Sequence, residues 1–318
     1  MKHFSLRAAC IFACLLASFL SSRSFGGDGK AVLNPEALAA PAPEPTPEFR
    51  FSAEYNIEET YIGGSDVARG RHEVNDFDES DTVVSFVATP RVSFGILRLG
   101  AAYERYSLGF DGAGWPLPNT MQAVNFVIGL DTQFSDSILF RIEAQPGLYG
   151  AGMDELDWDA ANVPFVLGGT YILSPDLQLI LGIGVDVNRK YPVAPGGGIR
   201  WRISSQWVLN AVIPMPRLEF EATPQLTLHA GGVIKNQTFR MSDDLGTSGG
   251  QPELDHAVLT YSEVRVGAGF DWKIGSAITL SAEGGYLAWR EFDFHRTDIR
   301  YHYESGAPYG TIALHGAF

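Results

Sequence analysis

Seven histidines, His3, His72, His229, His256, His295, His302 and His315, offer the chain's widest scope for acid–base or metal chemistry. Their spacing suits neither. No HExxH or comparable pair sets two imidazoles on one face of a helix. His295, His302 and Ser305 share one connecting region and carry the residue types of a hydrolytic site. Nothing in the pattern orients them, so they read as solvated loop residues. The stretch DELDWD supplies Asp154, Glu155, Asp157 and Asp159, oxygen ligands of the kind hard cations prefer. It lacks the glycine and terminal glutamate of a defined calcium loop and reads as an acidic solvated connection. Gly196-Gly197-Gly198, after Pro195, reads as a bend at a strand's start and not as a phosphate cradle. No catalytic residue, cofactor or metal site is expected, and the chain is read as a non-enzyme.

The elements around these residues carry more information than the residues themselves. In 261–273, YSEVRVGAGFDWK, one parity holds Glu263, Arg265, Asp271 and Lys273, and the other holds Val264, Val266, Ala268, Phe270 and Trp272. A strand sends these two sets to opposite faces, whereas a helix scatters them. The same division runs through 50–58, 138–144, 199–204 and 218–231. In 218–231, Glu219 and Glu221 thread between Leu218, Phe220 and Ala222.

The connections come in two kinds. Six are tight and rich in Ser, Gly, Pro, Asp or Gln: 93–95, 135–137, 174–176, 204–206, 223–225 and 275–276. Between them lie longer polar ones at 62–80, 111–119, 151–161, 188–192, 242–255 and 295–306, with a brief one at 214–216. These breaks leave fourteen strands between 49 and 318, with both ends of the series on the short-turn side. The runs 206–213 and 216–223 are barely long enough for a tilted spanning strand, which needs about 9–11 residues. Twelve strands is therefore the main alternative.

Ahead of the strands, Lys2, His3 and Arg7 precede an apolar run, Ala8–Leu20, and then small residues. This is the pattern of a secretory signal over residues 1–25. Residues 26–48 follow as a Pro- and Ala-rich tether. Both cysteines, Cys10 and Cys14, fall within the leader, so its removal excludes disulfides and thiolate chemistry. Loss of Lys2, Arg7 and Arg23 takes the 23 basic residues to 20 against 37 acidic, a net of −17. Such a surface disfavours nucleic acid.

A soluble sandwich also alternates, but three features favour a membrane barrel. Outward-parity aromatics (Phe94, Phe134, Trp201, Trp207, Trp272) cluster beside the short turns, as an interfacial girdle does. Several strands exceed the usual 5–6 residues of a globular sheet. The sequence closes on YGTIALHGAF, where Ile312, Leu314 and Phe318 share one parity. That ending resembles the C-terminal assembly signal of bacterial outer-membrane barrels, with Gly316 departing from the bulkier residue the pattern favours. Residues 49–318 as a whole resemble single-chain outer-membrane β-barrel proteins, and 214–231 is similar to hairpins in barrels known only as domains of unknown function. The resemblance implies an all-β, up-and-down antiparallel transmembrane barrel with both termini periplasmic. It also implies location in the outer membrane of a Gram-negative-type bacterium and recognition of the last strand by the barrel assembly machinery. It implies no activity.

Inward parity then collects ten basic residues, Arg50, Arg91, Arg98, Arg141, Arg200, Arg202, Arg217, Lys235, Arg265 and Lys273. Eleven acidic ones join them: Glu54, Glu58, Glu104, Asp131, Glu143, Asp186, Glu219, Glu221, Glu263, Asp271 and Glu283. His229 shares this parity as a structural residue. Ions in a low-dielectric interior need partners or water, so a lumen of salt bridges, water or both is expected, narrow or plugged and of balanced charge. The functional expectation is a passive channel or transporter for small solutes; a non-conducting adhesin, receptor or structural barrel is the alternative. The acidic loops 66–81 and 243–255 would face outward, where divalent cations could bridge them to anionic membrane lipid.

Overall fold

The computed structural model describes residues 52–69, 72–110, 116–154, 156–303 and 305–318. The leader at 1–25, the tether at 26–48 and Arg50 lie outside these. Eighteen strand segments follow one another. The first are β1 (Ala53–Arg69), β2 (His72–Ala88), β3 (Arg91–Val92), β4 (Gly95–Gly109) and β5 (Thr120–Ser135). Next come β6 (Ile138–Ala144), β7 (Gly147–Gly150), β8 (Ala161–Asn162), β9 (Phe165–Ser174) and β10 (Leu177–Val185). Then follow β11 (Val193–Arg202), β12 (Trp207–Val212), β13 (Arg217–Glu221) and β14 (Leu226–Arg240). The last four are β15 (Val258–Ile274), β16 (Ile278–Phe294), β17 (Ile299–Tyr303) and β18 (Ala307–Ala317).

Four pairs of segments, β2/β3, β6/β7, β8/β9 and β17/β18, are single staves with a break. Three breaks hold a proline, Pro90, Pro146 or Pro164, whose ring nitrogen cannot donate to the ladder. Each proline carbonyl still accepts, from Leu97 at 3.0 Å, Phe126 at 2.9 Å and Gln145 at 2.8 Å, so the wall continues across the break. The result is fourteen antiparallel staves. β18 pairs β1 from Glu54↔Ala317 to Ile62↔Tyr309, which closes the cylinder.

The outer wall follows the alternation. On β5, Val124, Phe126 and Ile128 are 42%, 66% and 52% exposed, while Ala123, Asn125 and Val127 between them are buried. Phe94, Phe134, Trp201, Trp207 and Trp272 all point outward beside the short turns, and the Trp207 and Phe220 rings touch at 4.8 Å.

Beyond the apolar band the code inverts, and here the expected loops are overturned. Residues 62–80 are not a loop: β1 runs to Arg69 and β2 starts at His72. Within the expected loop 295–306, Ile299–Tyr303 forms β17, paired with β16. In this outer part water lies outside the wall, so polar Asp78, Ser80 and Thr82 face out and Phe77 faces in. Phe77, Tyr106, Phe239, Tyr261, Phe292 and Tyr301 pack into one apolar core that fills the outer end. The inward-facing connection between β14 and β15 adds Leu254 and, from a single helical turn α1 (Leu245–Ser248), Leu245.

Filling is feasible because the outer end is narrower. β9 to β13 are only 5–10 residues long. Above them β14 meets β7 directly, Arg240 beside Gly150. The edge of β14 that the short staves leave unpaired is capped by Arg189, whose Nη2 donates to the Asn236 carbonyl at 2.8 Å. Asp186 accepts from Asn162 at 3.0 Å and from Thr238 at 2.6 Å, tying the β10–β11 connection to both walls. The glycine triplet is likewise no bend. It lies inside β11, where Gly197 has φ +146° and a Cβ would sit 2.2 Å from the Ile180 carbonyl oxygen.

The two outward environments can be told apart by substitution. Phe126→Arg, in the apolar band, should cost about 2–4 kcal/mol of unfolding free energy in lipid vesicles. Ser107→Arg, outward but beyond the band, should stay within about 0.5 kcal/mol. Urea titration followed by tryptophan fluorescence measures both, and equal costs would overturn the assignment.

Candidate functional site: the sealed lumen

The interior divides into three levels. At the short-turn end, staves set opposite charges side by side. Arg98 donates to Glu143 at 2.8 Å and pairs with Glu54 at 3.0 Å. Arg141 forks onto Asp131 with both bonds at 2.6 Å. Arg202 forks likewise onto Glu221, at 2.9 and 3.0 Å, and these two side chains stay 34% and 32% exposed. Lys273 and Arg200 are half-buried on the same inner face, and Arg200 Nε has no hydrogen-bond partner.

One level further in, Arg217 lies 4.0 Å from Glu219 and 3.6 Å from Asp271. His229 stands between two carboxylates, 3.8 Å from Asp271 and 3.5 Å from Glu283. Ser281 donates to Asp271 at 2.6 Å, and the Tyr309 hydroxyl donates to Glu283. Tyr309 lies flat over Gly267 and Gly285, where any Cβ would strike its ring or hydroxyl.

The third level is a stopper. Glu79 and Arg290, both 0% exposed, form an ion pair at 3.0 Å. The Tyr261 hydroxyl donates to Glu79 and lies 3.1 Å from a Glu263 carboxylate oxygen. Arg265 is 3.4 Å from Glu263, Lys235 pairs with Asp81, and Glu104 is buried in the same layer. The cations also lie over rings: Arg290 over Phe77 at 5.0 Å, Arg265 over Tyr309 at 5.3 Å and Lys235 over Tyr106 at 5.7 Å. The stopper therefore joins the ionic lumen to the aromatic core above it.

Of the charges set on inward parity by the sequence, the structure brings together Arg98 with Glu54 and Glu143, Arg141 with Asp131, and Arg202 with Glu221; the tightest pair, Glu79 and Arg290, was not among those charges. Glu79 and Asp81 belong to the stretch expected to be an acidic outer loop, and the structure buries them. Their signal was available: Phe77, Glu79, Asp81 and Val83 keep period two, although dense acidic residues give the stretch a loop-like composition. Arg290 was missed because an extra residue, Ala288, shifts the register between β15 and β16 and reverses the parity beyond it. The loop histidines form no site with Ser305. His302 is paired within β17, and Ser305 bonds Asp66 at 3.0 Å. Asp157 caps a short turn through the Asp159 N–H at 2.9 Å, and Glu155 lies outside the described residues. Among the described residues no group of three or more His, Cys, Asp or Glu is placed to hold a metal ion. Ile312, Leu314 and Phe318 all point outward on or just after β18, with Phe318 6.4 Å from the Tyr55 ring.

A closed cylinder, apolar outside and ion-paired within, defines a transmembrane β-barrel of the outer-membrane type. Residues 122–314 match the family described as a domain of unknown function, DUF6268, and the chain belongs to that family. No curated protein matches it in sequence. Among solved structures, it is similar to the COG4313 outer membrane channel from Pseudomonas putida F1 at 10% identity and a TM-score of 0.46, over 87% of this chain and 100% of that one. The P. putida toluene transporter TodX is 8% identical with a TM-score of 0.39, over 86% of this chain and 91% of that one. The KdgM porin in complex with disordered oligogalacturonate is 10% identical with a TM-score of 0.36, over 84% and 99%. At these scores the likeness carries nothing about activity to this chain.

Outside the barrel wall, Glu291 faces outward beyond Trp289. Burial lifts its carboxyl from 4.5 to about 7 against the pull of Arg300, whose Nε is 3.8 Å away. Raised in the folded state, Glu291 favours folding fully below about pH 4.5 and loses that contribution as pH climbs through about 7. Glu291→Gln should flatten this slope in unfolding midpoints measured across that range.

The stopper pair should be the costly one to break. Arg290→Met leaves Glu79 buried and uncompensated, an expected loss of about 3–5 kcal/mol. Arg202→Met, at a partly exposed pair, should cost under about 1 kcal/mol. Glu79→Gln together with Arg290→Met should recover most of the loss in the same urea titration; no recovery would argue against a buried ion pair.

Proposed function

We propose that this protein is an outer-membrane channel or transporter for small solutes, held shut in this conformation by its stopper. One observation carries the reading: the wide, fourteen-stave end keeps charges such as Arg202 and Glu221 partly exposed, while the narrow end buries Glu79 and Arg290 completely. A purely structural cylinder gains nothing from ions kept wet at one end. Charge of both signs along the path favours small polar solutes without strong ionic selectivity. No covalent chemistry belongs to this reading. Residues 1–25 act as the export signal, 26–48 as a periplasmic tether, and Ile312, Leu314 and Phe318 as the contact for the assembly machinery. Divalent cations at what stays acidic and exposed of the expected outer loops, such as Asp76 and Asp243, would link the outer rim to lipid.

The stopper itself favours a second reading, a barrel that conducts nothing and serves as an adhesin, receptor or structural protein. Planar-bilayer recording separates the two. On the first reading the wild-type protein is mostly silent, with brief openings, and Tyr261→Ala combined with Phe292→Ala gives sustained current. Silence of a folded variant, shown folded by a mobility shift on boiling, would leave the second reading standing.

A further inference from the structure

Arg98, Arg141 and Arg202 each meet a carboxylate at the short-turn end of the lumen. Arg200, half-buried on the inner face of β11, forms no ion pair or hydrogen bond among the described residues. The carboxylates of β13 are engaged elsewhere, Glu221 by Arg202 and Glu219 near Arg217. The register neighbours of Arg200 are two amides, Gln178 on β10 and Asn210 on β12. Gln178 is 8% exposed, and its amide has no hydrogen-bond partner among the described residues. On β9, Thr170 is 1% exposed and its hydroxyl lacks a partner as well. Buried polar groups are nearly always paired, so two exceptions on adjacent staves call for a cause. The floor beside them is bare. Beyond Arg200, β11 turns Gly198 and Gly196 inward; Gly196 is in register with Gly182, and Gly182 with Gly168. Apart from its chain neighbours, a Cβ on Gly168 would come within 4 Å of one atom, the Leu181 carbonyl oxygen at 3.7 Å. Gly267 and Gly285, by contrast, lie under the Tyr309 side chain. The row of three glycines spans two strand spacings, about 10 Å.

We infer that, in a lumen that passes solutes as proposed above, this corner is a subsite for a small hydroxy-carboxylate. A guanidinium presents parallel N–H groups that fit the two oxygens of one carboxylate. The Gln178 and Asn210 amides flank it one strand away on either side, about 5 Å, and can donate to or accept from hydroxyls. The glycine row lets the carbon skeleton lie close against the wall. A phosphate dianion fits less well, because the next cation, Arg217, is already shared between Glu219 and Asp271.

Isothermal titration calorimetry of the full-length protein in detergent, with lactate at constant ionic strength, tests this independently of conduction. The wild-type protein should bind lactate saturably, and propionate, without the hydroxyl, about threefold more weakly. Arg200→Gln should weaken lactate about tenfold or more, and Gln178→Ala about threefold. Gly168→Leu has room to fold and should remove binding by filling the floor. Leu181→Ala, on the outward face of β10, should leave binding as it is. Arg200→Gln deletes a charge that no carboxylate answers, so its urea midpoint should not fall, and boiling-dependent mobility checks that every variant is folded. No saturable binding by the wild type, or lactate bound equally by a folded Arg200→Gln or Gly168→Leu, would overturn the subsite. Inorganic phosphate bound more tightly than lactate would overturn the carboxylate assignment. Current in planar bilayers without lactate binding sinks the subsite and spares the channel; binding without current keeps the site and sinks the channel.

Discussion

A peptide N–H or C=O without a partner in hydrocarbon costs several kcal/mol, so a sheet can cross a membrane only if its first and last strands meet. The register between β1 and β18, nine paired positions from Glu54↔Ala317 to Ile62↔Tyr309, is the seam on which everything else depends. Closure turns a two-faced ribbon into an inside and an outside, and only then does the charge on one parity acquire a shared space. The same demand explains smaller features. The proline breaks keep their carbonyls in use, and Arg189 supplies a donor to β14 where the short staves leave it without a neighbour.

What fills that shared space depends on width. At the wide end the Arg202–Glu221 fork still reaches water, a regime in which a pair contributes little to stability, whereas Arg98 and Glu143 are already buried. At the narrow end desolvation dominates, and the same chemistry becomes demanding: Glu79, Arg290, Glu263 and Arg265 persist there because hydroxyls and ring faces surround them. On β15 the passage runs from Lys273 through Asp271 to Arg265 and Glu263. A lumen of this kind is blocked by geometry, since five short staves force the outer end to narrow until side chains fill it.

The alternation of faces was legible from the sequence wherever a strand runs without a bulge, because period two is a local property and survives any error in strand length. Together with the breaks between the runs, it gives the fourteen staves. Depth was not legible. Asp76, Asp78 and Glu79 give 62–80 a loop composition, although the strand continues and only its outer environment changes from lipid to water. Composition signals the solvent on the outer face, and the reading mistook a change of solvent for an end of structure. Arg290 escaped for a different reason, a single bulge that moves every later residue of β16 to the other face.

The pairing of β7 with β14 was out of reach for a further reason: the two are distant in the chain and not neighbours in the up-and-down order. Their contact is parallel, and it exists only because the staves between them are short. No periodicity encodes a relation of that kind; it follows from comparing lengths around the whole cylinder. Those lengths were visible as an anomaly, since 206–213 and 216–223 looked too short to span. They weaken the spanning wall without weakening the barrel, because the wall leans inward and is latched by Asp186 to Asn162 and Thr238. A strand too short to cross is therefore the cause of the seal, and the tops of those staves are held to β14 by Asp186 on Thr238 and Arg189 on the Asn236 carbonyl.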